Sequence, residues 1–267
     1  MDEDEHYADE REALLERFRE SLSRPMSDRF FDEDDLIEIF DYAGDLNDDF
    51  LRMEALMCAA RYFPDSEELL ERRGIFYSQY SDDARDQFLK HNPQGGNLIL
   101  ELLALRNDNP KPAKAKERLA EMLDRYDRLS DEEVIQFVDA ASALDCFGWM
   151  EQNFDKLRKK AKFEVVAVYE MAVAADVRRD YELSARMFEE LTQMEPFNSY
   201  YWIQLARAYA ELDDAEKSLS AVDYSLAIKP DSPQAMLVKA RLLQAMERPK
   251  EEAEALLDSA SKLVKDD

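Results

Sequence analysis

The feature that most constrains this chain is a 34-residue period in its C-terminal part. Pro196 and Pro230 lie one such period apart, and each follows a stretch whose apolar residues recur with helical spacing. Small residues repeat with the same offset, as Ser184 and Ser218 do. A period of this length indicates repeated supersecondary units, each of which buries its apolar face only by stacking on its neighbours.

The repeated positions resemble those of the tetratricopeptide repeat (TPR) family, clearly over about 165–264 and in degenerate form over about 33–160. The unit 199–232 matches the family pattern best, through Trp202, Leu205, Ala206, Tyr209, Ser218, Val222, Ser225 and Pro230. The unit 165–198 matches through Val168, Met171, Ala172, Ser184, Phe188, Leu191 and Pro196. The unit 233–266 departs from it, because Lys239 replaces a leucine and no closing proline follows, as in a terminal capping unit.

Upstream, apolar residues spaced three and four apart predict four more helix pairs. These are expected at about 34–44 and 48–62, 66–80 and 82–91, 97–106 and 112–127, and 131–145 and 147–161. The segment 92–96, with its Pro-Gln-Gly-Gly run, is the clearest break and a place where the array could kink. The sequence therefore predicts an all-α fold, a right-handed α-solenoid of antiparallel helix hairpins in a TPR-like superhelix.

Three regions follow from these patterns: an acidic extension over 1–30, degenerate hairpin repeats over 31–162, and TPR-like repeats with a C-terminal capping helix over 163–267. Residues 1–50 carry 19 acids against 5 arginines. Such a run is typical of a solvated, partly disordered tail, and the alternative is a docking arm or a shield for a basic surface such as Lys156–Lys162.

The formal net charge of −26 limits the classes of partner. Nucleic acids and anionic membranes are disfavoured, because both require positive charge on the protein, whereas a basic partner is favoured. No apolar run is long enough for a transmembrane helix, and the N-terminal residues do not resemble a secretory signal. Two isolated cysteines, Cys58 and Cys146, suit a reducing compartment, so a cytoplasmic location is expected.

No catalytic, cofactor or metal site is predicted. The two histidines, His6 and His91, have no cysteine or histidine nearby that could complete a zinc site or a catalytic triad. Phosphate-binding glycine motifs are absent from the sequence. We therefore expect a protein that is not an enzyme and carries no cofactor.

The family resemblance implies that the first helix of each unit lines a concave groove that binds a peptide or a partner helix. The groove positions would hold Tyr169, Val173, Asp176, Tyr200, Ile203, Arg207, Leu237, Arg241 and Gln244. The hypothesis is that Arg207 and Arg241 hold an acidic group while Tyr169 and Tyr200 act as aromatic anchors. The alternative is that acids of the chain itself, such as Glu211, neutralise the arginines. The Lys and Asn residues with which chaperone-binding members of the family hold a terminal carboxylate are missing.

The function predicted is a non-enzymatic scaffold for protein–protein interaction. The alternative is a structural or self-assembling repeat protein whose groove is filled by its own chain or by a second copy. The oligomeric state and the identity of the partner stay open.

Overall fold

The computed structural model describes residues 3–92, 96–246 and 250–266, and in these ranges the chain forms fifteen α-helices and no strand. The helices are α1 Glu3–Ser21, α2 Glu33–Asp45, α3 Asp49–Tyr62, α4 Glu67–Tyr80, α5 Asp82–His91, α6 Leu98–Asp108, α7 Pro112–Arg125, α8 Asp131–Ala143, α9 Phe147–Lys160, α10 Glu164–Val177, α11 Tyr181–Met194, α12 Ser199–Glu211, α13 Ala215–Ile228, α14 Pro233–Ala245 and α15 Lys250–Asp266. The all-α repeat fold is confirmed, and the eight helices predicted between 34 and 161 begin and end within two residues of these bounds. The predicted break at 92–96 falls mainly on 93–95, outside the described residues.

The chain divides into two compact units, Met1–Asn107 and Asp108–Asp267. The limits that the sequence analysis set at 30 and 162 mark changes in the regularity of the repeats, and they remain predictions. Helix starts are capped locally in both units, which explains why sequence located them well. Ser130, for example, forms the predicted capping box with Glu133 at the start of α8.

In unit 1, Met1–Asn107, the acidic N-terminal segment contributes to the core. Leu15 and Phe18 of α1 are fully buried in a cluster with apolar residues of α2, α3 and α4. Arg17 of α1 pairs with Asp35 of α2 at 2.6 Å. The sequence analysis weighed only the charge of this segment, whereas its apolar residues recur on one helix face and bury against α2.

Gly74 allows close helix packing in the same unit. A Cβ atom at this position would lie 2.9 Å from Leu100 Cδ2 and 3.1 Å from Phe88 Cε1. Any side chain there would force the Leu100 and Phe88 side chains to move. The glycine therefore lets these side chains of α6 and α5 pack closely against the backbone of α4.

Unit 2, Asp108–Asp267, contains four successive antiparallel hairpins, α8–α9, α10–α11, α12–α13 and α14–α15. In the three hairpins whose turns the structure describes completely, the turn holds a residue with positive φ: Asp145 (53°), Arg179 (62°) and Asp213 (57°). The next amide in each turn donates to a carbonyl five positions earlier, from Cys146 to Ala141, from Asp180 to Ala175 and from Asp214 to Tyr209. Successive turns are separated by one repeat period, so the regular repeat extends one hairpin further upstream than the sequence pattern indicated.

Candidate functional site

The first helices of successive hairpins in unit 2 lie side by side, so that α10, α12 and α14 share one face. Helix α12 contacts α14, and α10 reaches α12 through the rings of Tyr169 and Tyr200. We call this surface the first-helix face and define it by the nine predicted groove residues. Eight of them are at least partly accessible: Tyr169, Val173, Asp176, Tyr200, Arg207, Leu237, Arg241 and Gln244. Ile203 is 5% exposed, because its side chain packs between neighbouring helices.

Arg207 and Arg241 line one cavity of about 450 Å³, which we call the arginine cavity. Its apolar lining includes Val238 and Leu242 of α14 and Met246 directly after the end of α14, which are spaced four residues apart. The repeat spacing predicted that the two arginines lie near each other, but it did not predict the apolar lining. The four-residue spacing of Val238, Leu242 and Met246 was the signal that could have revealed this lining.

Both arginines of this cavity are free of intramolecular ion pairs among the described residues. Their exposed side chains have no carboxylate of that part of the chain within 4 Å, and the polar contact of Arg207 is with Gln204 Oε1, at 3.5 Å from Nη1. Glu211 lies at the same cavity but does not pair with Arg207, unlike the many arginines of this chain that do pair with acids. Two guanidinium groups are therefore available for an anionic ligand group, while Glu211 and Asp213 bring negative charge to the cavity.

Tyr169, Tyr200 and Tyr201 form a tyrosine cluster where α10 meets α12. Their ring centroids lie 6.0–6.3 Å apart, and the hydroxyl oxygens of Tyr169 and Tyr200 are 3.4 Å apart. Burial and the contact with Tyr200 raise the pKa of Tyr169 far above its usual value, and burial together with Glu195 raises the pKa of Tyr201. The hydroxyls of Tyr169 and Tyr201 therefore stay protonated and can donate hydrogen bonds beside apolar ring surface.

An acidic group adjoins the tyrosine cluster on α10. Burial raises the pKa of Glu170, and the negative charges of Asp139 and Glu132 on α8 raise it further. Among the first helices of unit 2, α8 and α10 thus carry the acidic Glu132, Asp139 and Glu170, whereas Arg207 and Arg241 lie on α12 and α14. The sequence analysis missed the acidic end because it compared only the three most regular units.

The basic run at the end of α9 is occupied by contacts within unit 2. Lys156 pairs with Asp124 of α7, and Lys160 Nζ donates to the carbonyl of Tyr126 at 2.5 Å. Arg158 pairs with Glu164 and also with Glu190, the latter at 2.5 Å. These contacts hold α9 to its neighbours and give the run a structural role.

The described residues contain no cluster of three or more histidine, cysteine or acidic side chains arranged to hold a metal ion. His91 is exposed, and its Nδ1 lies 2.7 Å from the carbonyl oxygen of Gln87. Cys58 and Cys146 are both free and buried. In the part of the chain that the structure describes, none of the helices has the length and apolarity needed to cross a bilayer.

The chain matches no protein-family model and no curated protein sequence. Among solved structures, a tetratricopeptide repeat protein from Parabacteroides merdae is 19% identical, with 86% of this chain and 92% of that chain covered and a TM-score of 0.47. MamA from Desulfovibrio magneticus is 18% identical, covering 64% of this chain and 97% of its own, with a TM-score of 0.46. A MamA double mutant is 16% identical, with 64% of this chain and 97% of that chain covered and a TM-score of 0.47. All three scores lie below 0.5. The TPR-like fold is evident from the helices of this chain itself, whose hairpins recur with a constant period in unit 2.

Proposed function

We propose that this protein is a non-enzymatic interaction scaffold whose unit 2 binds a peptide segment of a partner protein along the first-helix face. The acidic group of the segment lies between Arg207 and Arg241. An apolar side chain next to it enters the arginine cavity, and Tyr169 and Tyr200 contact the segment further along. The observation that carries the proposal is that two arginines from neighbouring repeats, unpaired among the described residues, share one cavity with apolar lining.

Energetics favour this use of the cavity. A hydrogen bond between a guanidinium and a carboxylate contributes about 1.5–3 kcal/mol, and a buried apolar side chain adds a comparable amount. The rest of the chain is strongly acidic and repels an acidic group of the partner segment. The two arginines attract that group, so they determine where on the first-helix face it binds. The tyrosines provide large contact areas at low entropic cost, as is common where a few residues dominate binding.

Selection from a displayed library of random 12-residue peptides on the immobilised full chain tests the proposal. We expect enriched peptides to carry Asp or Glu beside Leu, Ile, Val or Phe. The variant Arg207→Gln/Arg241→Gln should bind a synthetic copy of an enriched peptide about 10- to 100-fold more weakly, because the charge-assisted hydrogen bonds are lost.

The matched control is Arg118→Gln/Arg128→Gln, which removes two exposed arginines of the same unit and changes the net charge equally. It should bind the peptide within about twofold of the wild type, because neither residue lines the arginine cavity. If both double variants select the same peptides as the wild type, the arginine cavity is not a binding site and the proposal fails.

A further inference from the structure

A second surface of unit 2 carries exposed aromatic side chains and lies apart from the first-helix face. Tyr224 of α13 stacks on Trp202 of α12, with ring centroids 4.6 Å apart and an angle of 25° between the planes. The indole N–H of Trp202 donates to the carbonyl of Pro196 at 2.8 Å, and Phe197 follows directly in the chain. We call Phe197, Trp202 and Tyr224 the aromatic edge.

The aromatic edge is accessible and is not needed to fill the core. Phe197 is 85% exposed and Tyr224 is 56% exposed. Two residues along an α-helix turn by about 200°, so Trp202 points away from Tyr200 and from the first-helix face. Apolar rings grouped on a surface in this way mark an interaction site more often than an isolated exposed ring does.

The preceding hairpin of the repeat does not carry this arrangement. One repeat before Trp202 and Tyr224, the equivalent positions hold Val168, which is fully buried, and Glu190, which pairs with Arg158. The stacked pair therefore is not a general requirement of the hairpin fold. The indole N–H is already bonded to Pro196, so the edge offers ring faces rather than a free indole donor.

The charge around the aromatic edge indicates the chemistry of its ligand. Without Arg207, Glu211 and Asp213, which line the arginine cavity, residues 195–231 carry five carboxylates against two lysines, a net charge of −3 within a chain of net charge −26. A cation placed over a Trp or Tyr ring is attracted by the ring quadrupole, and the surrounding carboxylates strengthen this attraction and raise the association rate. An acidic segment, or a second copy of this acidic chain, would be repelled.

We propose that the aromatic edge binds a basic, arginine-bearing segment of a partner protein, with guanidinium groups placed over Tyr224 and Phe197. This site is independent of the arginine cavity, since it uses another side of α12 and selects the opposite charge. The protein would then contact basic and acidic segments on different surfaces of the same unit.

The test uses fluorescence of the full chain in a Trp149→Phe background, where Trp202 is the only tryptophan. The probe is an acetylated and amidated 12-residue peptide with four arginines separated by Gly, Ser and Leu. Its partner probe carries citrulline, a neutral isostere, in place of each arginine. At 150 mM NaCl we expect the arginine peptide to change the Trp202 emission and to bind about tenfold more tightly than the citrulline peptide.

Variants that leave the net charge unchanged separate this site from general attraction to an acidic protein. Phe197→Ser, and separately Phe197→Ser/Tyr224→Ser, should weaken binding of the arginine peptide, by about tenfold in the double variant. The control Phe50→Ser/Tyr80→Ser removes two exposed aromatic rings from unit 1 and should leave the affinity within about twofold of the wild type. Because Phe197 is so exposed, its single variant keeps the test valid even if the double variant unfolds.

Three results would overturn the proposal. Equal affinity of wild type and Phe197→Ser for the arginine peptide would mean that overall charge alone attracts it. Equal affinity for the citrulline peptide would mean that the edge is a general apolar contact. Trp202 emission that depends on protein concentration without peptide, together with dimers in sedimentation, would assign the edge to a second copy of the chain.

Discussion

The carboxyl group of Glu170 is in an unfavourable position for a charge. It is partly buried on α10, and Asp139 and Glu132 of α8 add negative charge nearby, so its pKa in the folded protein is raised above the unfolded value. Below the unfolded pKa the group is protonated in both states and costs nothing. Between the unfolded and the folded pKa the unfolded state ionises while the folded state keeps its proton, so the stability of the folded state falls as the pH rises, and the loss is complete above the folded pKa.

We therefore predict that Glu170→Gln raises the free energy of unfolding at pH 7, and that the gain shrinks at pH 4. Urea unfolding of wild type and variant at both values measures this difference. The matched control Glu182→Gln neutralises an exposed carboxylate on α11 and should show a smaller change. A gain for Glu170→Gln that is equal at both pH values would show that its charge is not the cause.

Single residues of the candidate site could be predicted only in part. The repeat spacing placed Arg207 and Arg241 on neighbouring first helices, because residues one repeat apart become neighbours in a stacked array. The sequence left open whether Glu211 neutralises Arg207, since that depends on the side-chain conformation that each residue adopts. The burial of Ile203 depends on how closely the neighbouring helices pack, which a position in a repeat does not specify.

At the scale of the helix hairpin, two equivalent serines have different surroundings. Ser184 and Ser218 occupy the same position in successive repeats, and both are fully buried where two helices of a hairpin cross. Ser218 Oγ donates to the carbonyl of Ala206 at 2.6 Å. The hydroxyl of Ser184 has no hydrogen-bond partner among the described residues. An unpaired buried hydroxyl costs free energy, whereas a paired one contributes to stability.

We predict that Ser184→Ala raises the free energy of unfolding by about 1 kcal/mol and that Ser218→Ala lowers it by about 1 kcal/mol. Each substitution removes the same atom from the same place in its hairpin, so each is the control for the other. Thermal or urea unfolding of the two variants gives the comparison. Changes of the same sign would contradict the different hydrogen bonding of the two hydroxyls.

Helices were easier to predict than the turns between them. Local signals such as the Ser130–Glu133 capping box fix where a helix begins, and the three- and four-residue apolar spacing fixes its buried face. The turns at Asp145, Arg179 and Asp213 were missed, because glycine is the residue that normally marks a positive φ. Aspartate adopts a positive φ more readily than most residues, so Asp145 and Asp213 are compatible with such a turn. Arginine has no such preference, so nothing in the sequence indicates a positive φ at Arg179.

At the level of the whole molecule, the excess of negative charge affects the stability of the folded state. The chain carries a net charge of −26, and most of its ion pairs lie on the surface, where each contributes little. Self-repulsion of the excess carboxylates therefore opposes folding. Composition predicts this effect directly, whereas the turn-forming run at 107–112 marks a break between helices but does not show that two compact units meet there, which depends on which helices pack together.

We predict that NaCl between 20 and 300 mM stabilises the folded protein, because screening weakens this repulsion more than it weakens the exposed ion pairs. Urea is the suitable denaturant, since it adds no ions. The variant Glu117→Gln/Glu121→Gln/Glu182→Gln/Asp231→Asn changes the net charge from −26 to −22 and should show a smaller gain with salt. Four Lys→Gln substitutions at the exposed positions 114, 116, 250 and 262 change the charge to −30 and should show a larger one. Stability that falls with salt, or a gain that is the same in all three proteins, would mean that local ion pairs and not the net charge control the response.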